Sequence, residues 1–225
     1  MKTLTLPGTD IVAPNVVAGM MRIADKSDDE IRELVRTARD AGIDFFDHAD
    51  VYGTRMHECE ERFADALQLT PSERDEITIQ TKAGIVREGP YFDFSYDRIV
   101  GEVEGSLAAL KTDRIDILLL HRPDALVEPE EVARAFDDLH ASGKVRYFGV
   151  SNHTPRQIDL LKKFVTQPLV ANQVQLSITH QPIVAQGVAM NMLSEQQSVT
   201  LDGGAWPAGS NGCSTPSSTS SSSSA

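Results

Sequence analysis

Apolar and polar positions along the chain follow two periods. Short, nearly unbroken apolar runs ("IDFF", "EITIQTK", "IDILLLH", "VRYFGVS", "LVANQVQL") are separated by longer stretches in which apolar residues recur every three or four positions. The first kind predicts strands buried on both faces and the second predicts amphipathic helices. "SDDEIRELVRTARDAG" shows the helical signature in full. Ser27 and Glu30 make a capping box, acids fill the first turn, and Gly42 stands at the stop. Ile31, Leu34, Val35 and Ala38 share one face, which is expected to be buried. "ECEERFADALQL", "SYDRIVGEVEGSLAALK", "PEEVARAFDDLHASG" and "TPRQIDLLKKFV" repeat the pattern. In the second of these Ile99, Val103, Leu107 and Leu110 align; in the last, Thr154 is the N-cap and Pro155 takes the first helical position. Ahead of the series, "LTLPGTDIVA" predicts a hairpin around a Pro-Gly turn and "NVVAGMM" a buried strand.

Apolar strands alternating with amphipathic helices mean parallel βα units joined by right-handed crossovers, an α/β fold. An open dinucleotide-binding sheet would carry G-x-G-x-x-G after its first strand, and "AGMMRIADKSDD" has no such run. A closed barrel instead places functional groups at the C-terminal ends of successive strands. The strand ends meet that expectation: Asp47 with Tyr52 just beyond, then Lys82, His121, Ser151 with Asn152, and Asn172 with Gln173. Polar residues of mutually useful chemistry closing five consecutive strands favour the barrel. The expected fold is an incomplete (β/α)8 TIM barrel with about six βα units, occupying residues 1–200.

Composition narrows the function. The chain has 225 residues, within the range of one barrel domain, and its net charge is −12. That acidity argues against nucleic-acid and anionic-membrane partners. Two cysteines, Cys59 and Cys213, do not make a disulfide framework, and the N-terminus lacks a long apolar leader. No stretch approaches the roughly twenty apolar residues of a membrane span. A cytoplasmic protein is expected.

Asp47, Tyr52, Lys82 and His121 would share the barrel mouth. A free tyrosine, with a pKa of about 10, is a weak proton donor at neutral pH. An ammonium beside it stabilises the phenolate left behind, and a carboxylate in turn keeps a partly desolvated ammonium charged. A neutral imidazole N–H can orient a carbonyl oxygen next to the phenol. The four together suit protonation of an oxyanion forming from C=O, which is half of a carbonyl reduction; a hydride source is the other half. Ser151, Asn152 and Gln173 carry hydroxyl and amide groups able to hold a nicotinamide carboxamide.

"DHADVYG", "TKAGI", "LLLHRPD", "GKVRYFGVSN" and "NQVQLS", in that order, resemble the motifs of the aldo-keto reductases, and "GSLAALKTDRIDILLLH" is similar to a further signature of the family. The wording around "DHADVYG" and "HRPD" looks most like the bacterial oxidoreductase subgroup. The resemblance covers residues 5 to about 185. It implies NADP(H)-dependent reduction of an aldehyde or ketone, with NAD(H) as the alternative cofactor. Tyr52 is then the general acid, Lys82 its charged partner, Asp47 the counter-ion of the lysine, and His121 the group that orients the carbonyl. Ser151, Asn152 and Gln173 would bind the carboxamide. His48 and Asp50, inside the first motif, are expected to shape the loop or line the pocket, and Met20 and Met21 to be core or pocket wall.

A metal reading of Asp47, His48, Asp50 and His121 is disfavoured, because metal-dependent hydrolase barrels carry H-x-H on an early strand and this chain has none. "HECE" reads as ordinary acids in a first helical turn. The rival from another class is a non-catalytic nicotinamide-binding or interaction module on the same fold, or an inert fragment. No charged residue follows Asp202, and residues 201–225 are serine-rich, a composition expected to be disordered. "VTLDGGAW" can supply at most part of a seventh strand. A truncated or frame-shifted terminus is therefore expected. Weak or absent turnover is expected with it, since an unclosed barrel leaves strand edges unpaired. Full turnover by the purified 225-residue chain would refute that expectation.

Overall fold

The computed structural model describes residues 1–89 and 91–178. The chain divides after Val174, and every assigned element begins and ends within Met1–Val174. The domain limit near residue 200, the fragment "VTLDGGAW" and the serine-rich segment lie outside the described residues.

An antiparallel hairpin, β1 (Thr3–Thr5) and β2 (Val12–Pro14), precedes the main sheet. Its strands are β3 (Ala18–Gly19), β4 (Phe45–Asp47), β5 (Thr78–Ala83), β8 (Ile115–Leu120), β9 (Val145–Ser151) and β10 (Leu169–Gln173). A small hairpin of β6 (Ile85–Val86) and β7 (Tyr91–Phe92) branches off after β5. The six main strands are parallel and lie side by side in chain order. Helices α1 (Asp28–Asp40), α2 (Glu58–Leu67), α4 (Tyr96–Leu110), α5 (Pro129–Ala141) and α6 (Pro155–Leu161) pack each against the next, with the short α3 (Pro71–Asp75) inserted before β5.

Sequential strand order without a reversal is barrel order; a doubly wound sheet would switch direction at its middle. Curvature follows from a single distance. In a flat sheet β4 and β10, four strand spacings apart, would be separated by about 19 Å. Yet Gln173 Nε2 lies 3.2 Å from Asp47 Oδ2. The sheet therefore curls, and the described chain is an incomplete (β/α)8 barrel.

Alternation along each strand divides the core in two. Leu118, Leu120, Phe148 and Val150 point outward onto α4, α5 and α6, while Phe46 and Ile79 pack beneath α1 and α2. Phe45, Ile117 and Leu119 point inward, where they meet Tyr147, Ala171 and the hairpin residues Ile11 and Ala13. The hairpin closes the N-terminal end of the barrel, anchored by Asp10, which pairs with Arg146 (2.8 Å) and accepts the Tyr147 hydroxyl (2.9 Å). Functional groups are left the opposite end.

The capping box at Ser27 and the N-cap at Thr154 form as the sequence predicts, and Gln157 completes a second box at Thr154. Other expectations need correction. "NVVAGMM" supplies only the two strand residues of β3. Met20 is buried, but Val16, Val17 and Met21 are exposed, because β3 is an edge of the described sheet. Leu34 is also exposed, at the margin of a buried stripe made by Ile31, Val35 and Ala38. The last helix and strand are shorter than expected, ending at Leu161 and Gln173. Helix α3 was too short for periodicity to reveal, although Thr70, Pro71 and Glu73 form a complete capping box with proline at the first position.

Beneath the sheet, Asp116 Oδ2 accepts from Arg74 Nη2 (2.8 Å) and from the Ile79 N–H (2.9 Å), and its Oδ1 accepts from Arg146 (3.1 Å). Both Arg74 and Asp116 are buried. Asp116→Ala leaves the Arg74 charge buried without its partner and is expected to cost about 3–5 kcal/mol. Chemical denaturation of the two proteins checks this; a loss below about 1 kcal/mol would mean that Arg74 finds water instead.

Candidate active site

Lys82 is 2 % exposed, a lysine inside the barrel. It sits there because β5 alternates: Gln80 and Lys82 point inward, whereas Ile79, Thr81 and Ala83 face the helices. Its ammonium donates to Asp47 Oδ1 (2.7 Å) and Oδ2 (2.8 Å), to the His48 carbonyl (2.7 Å) and to the Tyr52 phenol oxygen (3.0 Å). Asp47, inward at the end of β4, is engaged from three sides, because Gln80 Nε2 (2.5 Å) and Gln173 Nε2 (3.2 Å) donate to it as well. Tyr52, half-buried, stands five residues further on. Its loop is held by the Tyr52 N–H on Ala49 O (3.1 Å) and the Cys59 N–H on Tyr52 O (3.2 Å).

His121 follows β8, and its N–H extends the ladder to Ala83 O (2.9 Å). The ring meets Tyr52 edge-on, with centroids 6.0 Å apart at 80°. No described group hydrogen-bonds its buried Nδ1. Burial first, then the Lys82 and Arg122 charges, hold its pKa well below 6.5, so the imidazole is neutral. The four predicted residues thus converge, and the arrangement does specific chemistry. Because the ammonium donates to the phenol oxygen, the O–H hydrogen of Tyr52 is free for another acceptor, and the ammonium stabilises the negative charge its departure would leave.

Ser151, Asn152 and Gln173 meet on the adjoining wall. Ser151 Oγ donates to the Gln173 carbonyl (3.0 Å), and Asn152 Nδ2 donates to Ser151 Oγ (2.9 Å) and to His121 O (3.3 Å). Asn152 adopts φ 61°, a left-handed conformation that asparagine tolerates better than most residues. Gln173 is exposed at its strand end while Ser151 and Asn152 are buried. Hydroxyl and amide groups that both donate and accept fit a carboxamide by chemistry.

His48 and Asp50 do not line this mouth. Both are fully buried, and His48 packs edge-on to Phe63 (4.7 Å) with its pKa lowered by burial to about 4. Glu60, from "HECE", is buried too and accepts from Thr81 Oγ1 (2.5 Å) and Ser106 Oγ (3.0 Å). No cluster of metal-ligand type occurs among the described residues, and no described helix is long and apolar enough to cross a membrane. Two site residues escaped sequence reasoning. Gln80 was legible, being two residues before Lys82 on the same strand face. Arg122 is partly buried near Tyr52, and burial lowers its guanidinium pKa.

An inward-facing charge cluster at the C-terminal end of a parallel barrel defines the class of protein. A profile of the Aldo/keto reductase family matches residues 15–197, and the chain belongs to that family of oxidoreductases. It is 44 % identical over 178 residues to the oxidoreductase YcsN of Bacillus subtilis, spanning 75 % of this chain and 59 % of that protein. A 6-dehydroglucose reductase of Novosphingobium aromaticivorans is 39 % identical over 173 residues, 74 % of this chain and 57 % of its own length. Among solved structures, the glycerol dehydrogenase AKR11B4 of Gluconobacter oxydans superposes with a TM-score of 0.70 at 32 % identity, covering 80 % of this chain and 57 % of that one. The chain spans less than 60 % of the length of these curated relatives.

Three buried histidines prefer to stay neutral: His121, His48 and His153, the last also lowered to about 4 by burial. A histidine whose folded pKa is depressed contributes stability that is full above 6.5 and is lost as pH falls towards the folded value. Ring ¹⁵N NMR is expected to show all three neutral at pH 6. A His121 midpoint near 6.5 would contradict its desolvation.

Proposed function

We propose that the protein reduces an aldehyde or ketone to the alcohol, with Tyr52 as the proton donor. One observation carries the reading: Lys82, itself neutralised by Asp47, donates to the Tyr52 oxygen at 3.0 Å and leaves the phenol hydrogen for a substrate. Tyr52 gives that proton to the carbonyl oxygen as negative charge develops there, and Lys82 holds the phenolate until solvent returns the proton. Neutral His121 steers the carbonyl towards Tyr52. Ser151, Asn152 and Gln173 would hold a nicotinamide carboxamide, and the reduced cofactor, when bound, supplies the hydride to the carbonyl carbon. NADP(H) is the form the family resemblance supports, with NAD(H) as the alternative. The partner is a small carbonyl compound, neither nucleic acid nor membrane, and the working compartment is the cytoplasm. The names of the relatives support a hydroxylated carbonyl compound as the first substrate to assay.

Fluorescence titration with NADPH and then NADH, followed by steady-state turnover of wild type and Tyr52→Phe, tests the reading. Tyr52→Phe is expected to lower kcat by about 10²–10⁴-fold, the usual worth of a general acid, while cofactor affinity is retained. Equal turnover in the two proteins would remove Tyr52 from the role. Cofactor binding without turnover in wild type would favour the non-catalytic module.

A further inference from the structure

Asn172 stands at a strand end beside Gln173 but has no part in the chemistry described so far. Its orientation comes from an irregularity in β10. Leu169 lies opposite Phe148 and Asn172 opposite Val150, so three steps along β10 match two along β9. That is a bulge of one extra residue, and it reverses the facing direction of whatever follows. Val170 and Ala171 both pack inward, in the cluster with Ile117 and Leu119. Gln173 can then turn inward to Asp47, and Asn172, paired with Val150, faces the outside. There its amide meets backbone. Asn172 Oδ1 accepts the His153 N–H (3.4 Å), and Nδ2 donates to the His153 carbonyl (2.9 Å). Only one orientation of the amide satisfies both contacts, because the N–H needs an acceptor and the carbonyl a donor.

The backbone explains why a side chain takes this place. Pairing of β9 with β10 runs as far as Ser151 opposite Gln173. At Asn152 the chain turns left-handed, with φ 61°, and the next peptide leaves the ladder. The Gln173 carbonyl holds the near side of the turn, accepting the Asn152 N–H (2.9 Å) and Ser151 Oγ (3.0 Å). Asn172 holds the far side by gripping both polar groups of His153. The His153 ring adds to the hold: its Nδ1 donates to Ser151 O (2.9 Å), and it stacks on Phe94 with centroids 6.0 Å apart at 9°. A left-handed turn is uphill for any residue with a Cβ, so it persists only where its neighbours fix it. We propose that Asn172 is a positioning residue, whose amide clasps the His153 backbone, holds Asn152 in its left-handed conformation and so sets the Ser151–Asn152 pair for a nicotinamide carboxamide.

The cofactor half of this proposal rests on the reductase reading; the clasp is testable without it. Amide hydrogen exchange of the full 225-residue chain is compared in wild type and Asn172→Ala, with Leu118 and Phe148 as references inside the sheet. The variant is expected to lose about tenfold or more of its protection at both Asn152 and His153, with the references unchanged. Loss at His153 alone would reveal a local hydrogen bond with no hold on the turn, and the proposal fails. Should the alanine variant not fold, Asn172→Leu, of nearly the same shape and without either hydrogen bond, is read by the same criteria. Binding is then measured for NADPH and NADH, each beside the matching ADP-ribose compound that lacks the nicotinamide. Asn172→Ala is expected to weaken the whole cofactor about tenfold and to leave the nicotinamide-free compound unchanged, which general destabilisation would not do. Equal weakening of the two, or none, would overturn the proposal. If wild type binds neither cofactor while Asn152 and His153 respond as expected, the reductase reading fails and the clasp on the turn stands.

Discussion

A lysine ammonium cannot remain charged inside a barrel unless the fold brings it a carboxylate and enough acceptors for its hydrogens. Lys82 sets this requirement, and much of the described structure answers it. Asp47 must end β4 in register beside β5, His48 must turn its carbonyl inward, and the Tyr52 loop must return over the strand ends. Asp47 has more lone pairs than one ammonium occupies, and Gln80 and Gln173 take up the rest. The second of these contacts comes from the far side of the sheet. Curvature of the sheet and neutralisation of one charge are thus linked by one side chain.

Two carboxylate arrangements on either side of the "DHADVYG" segment use opposite chemistry. Asp47 faces the mouth, where an ammonium and two amides surround it. Asp50, three residues on, faces the helices, where burial and two neighbouring acids favour the proton. A loop tied to β5 by the Lys82 ammonium on the Tyr52 oxygen and by the Asp50 N–H on Lys82 O has little freedom to move its tyrosine, which suits proton transfer over hydrogen-bond distances. His48, between them, packs against Phe63 and remains neutral.

Much of this was legible in residue order. Periodicity distinguished strands from helices, capping boxes marked helix starts, and polar residues at successive strand ends gave away both the barrel and the members of the site. Where the sequence misled, a local pattern met a boundary. "NVVAGMM" has the composition of a buried strand, but its sheet edge among the described residues leaves Val16 and Val17 exposed. Leu34 satisfies helical spacing, yet the stripe α1 buries is narrower than the spacing allows.

The sequence by itself determined which groups could do chemistry and at which strand ends they stand, because strand period and chain order dictate facing direction. Tertiary structure decided how they are charged. Nothing in "DHADVYG" says that Asp47 meets an ammonium while burial raises the Asp50 pKa; that depends on Lys82, Gln80 and Gln173 arriving on one side and Glu102 and Glu60 on the other, across separations of 10 to 126 residues. Protonation is set by the field and solvent access of the assembled neighbourhood, and those are properties of contacts between distant parts of the chain.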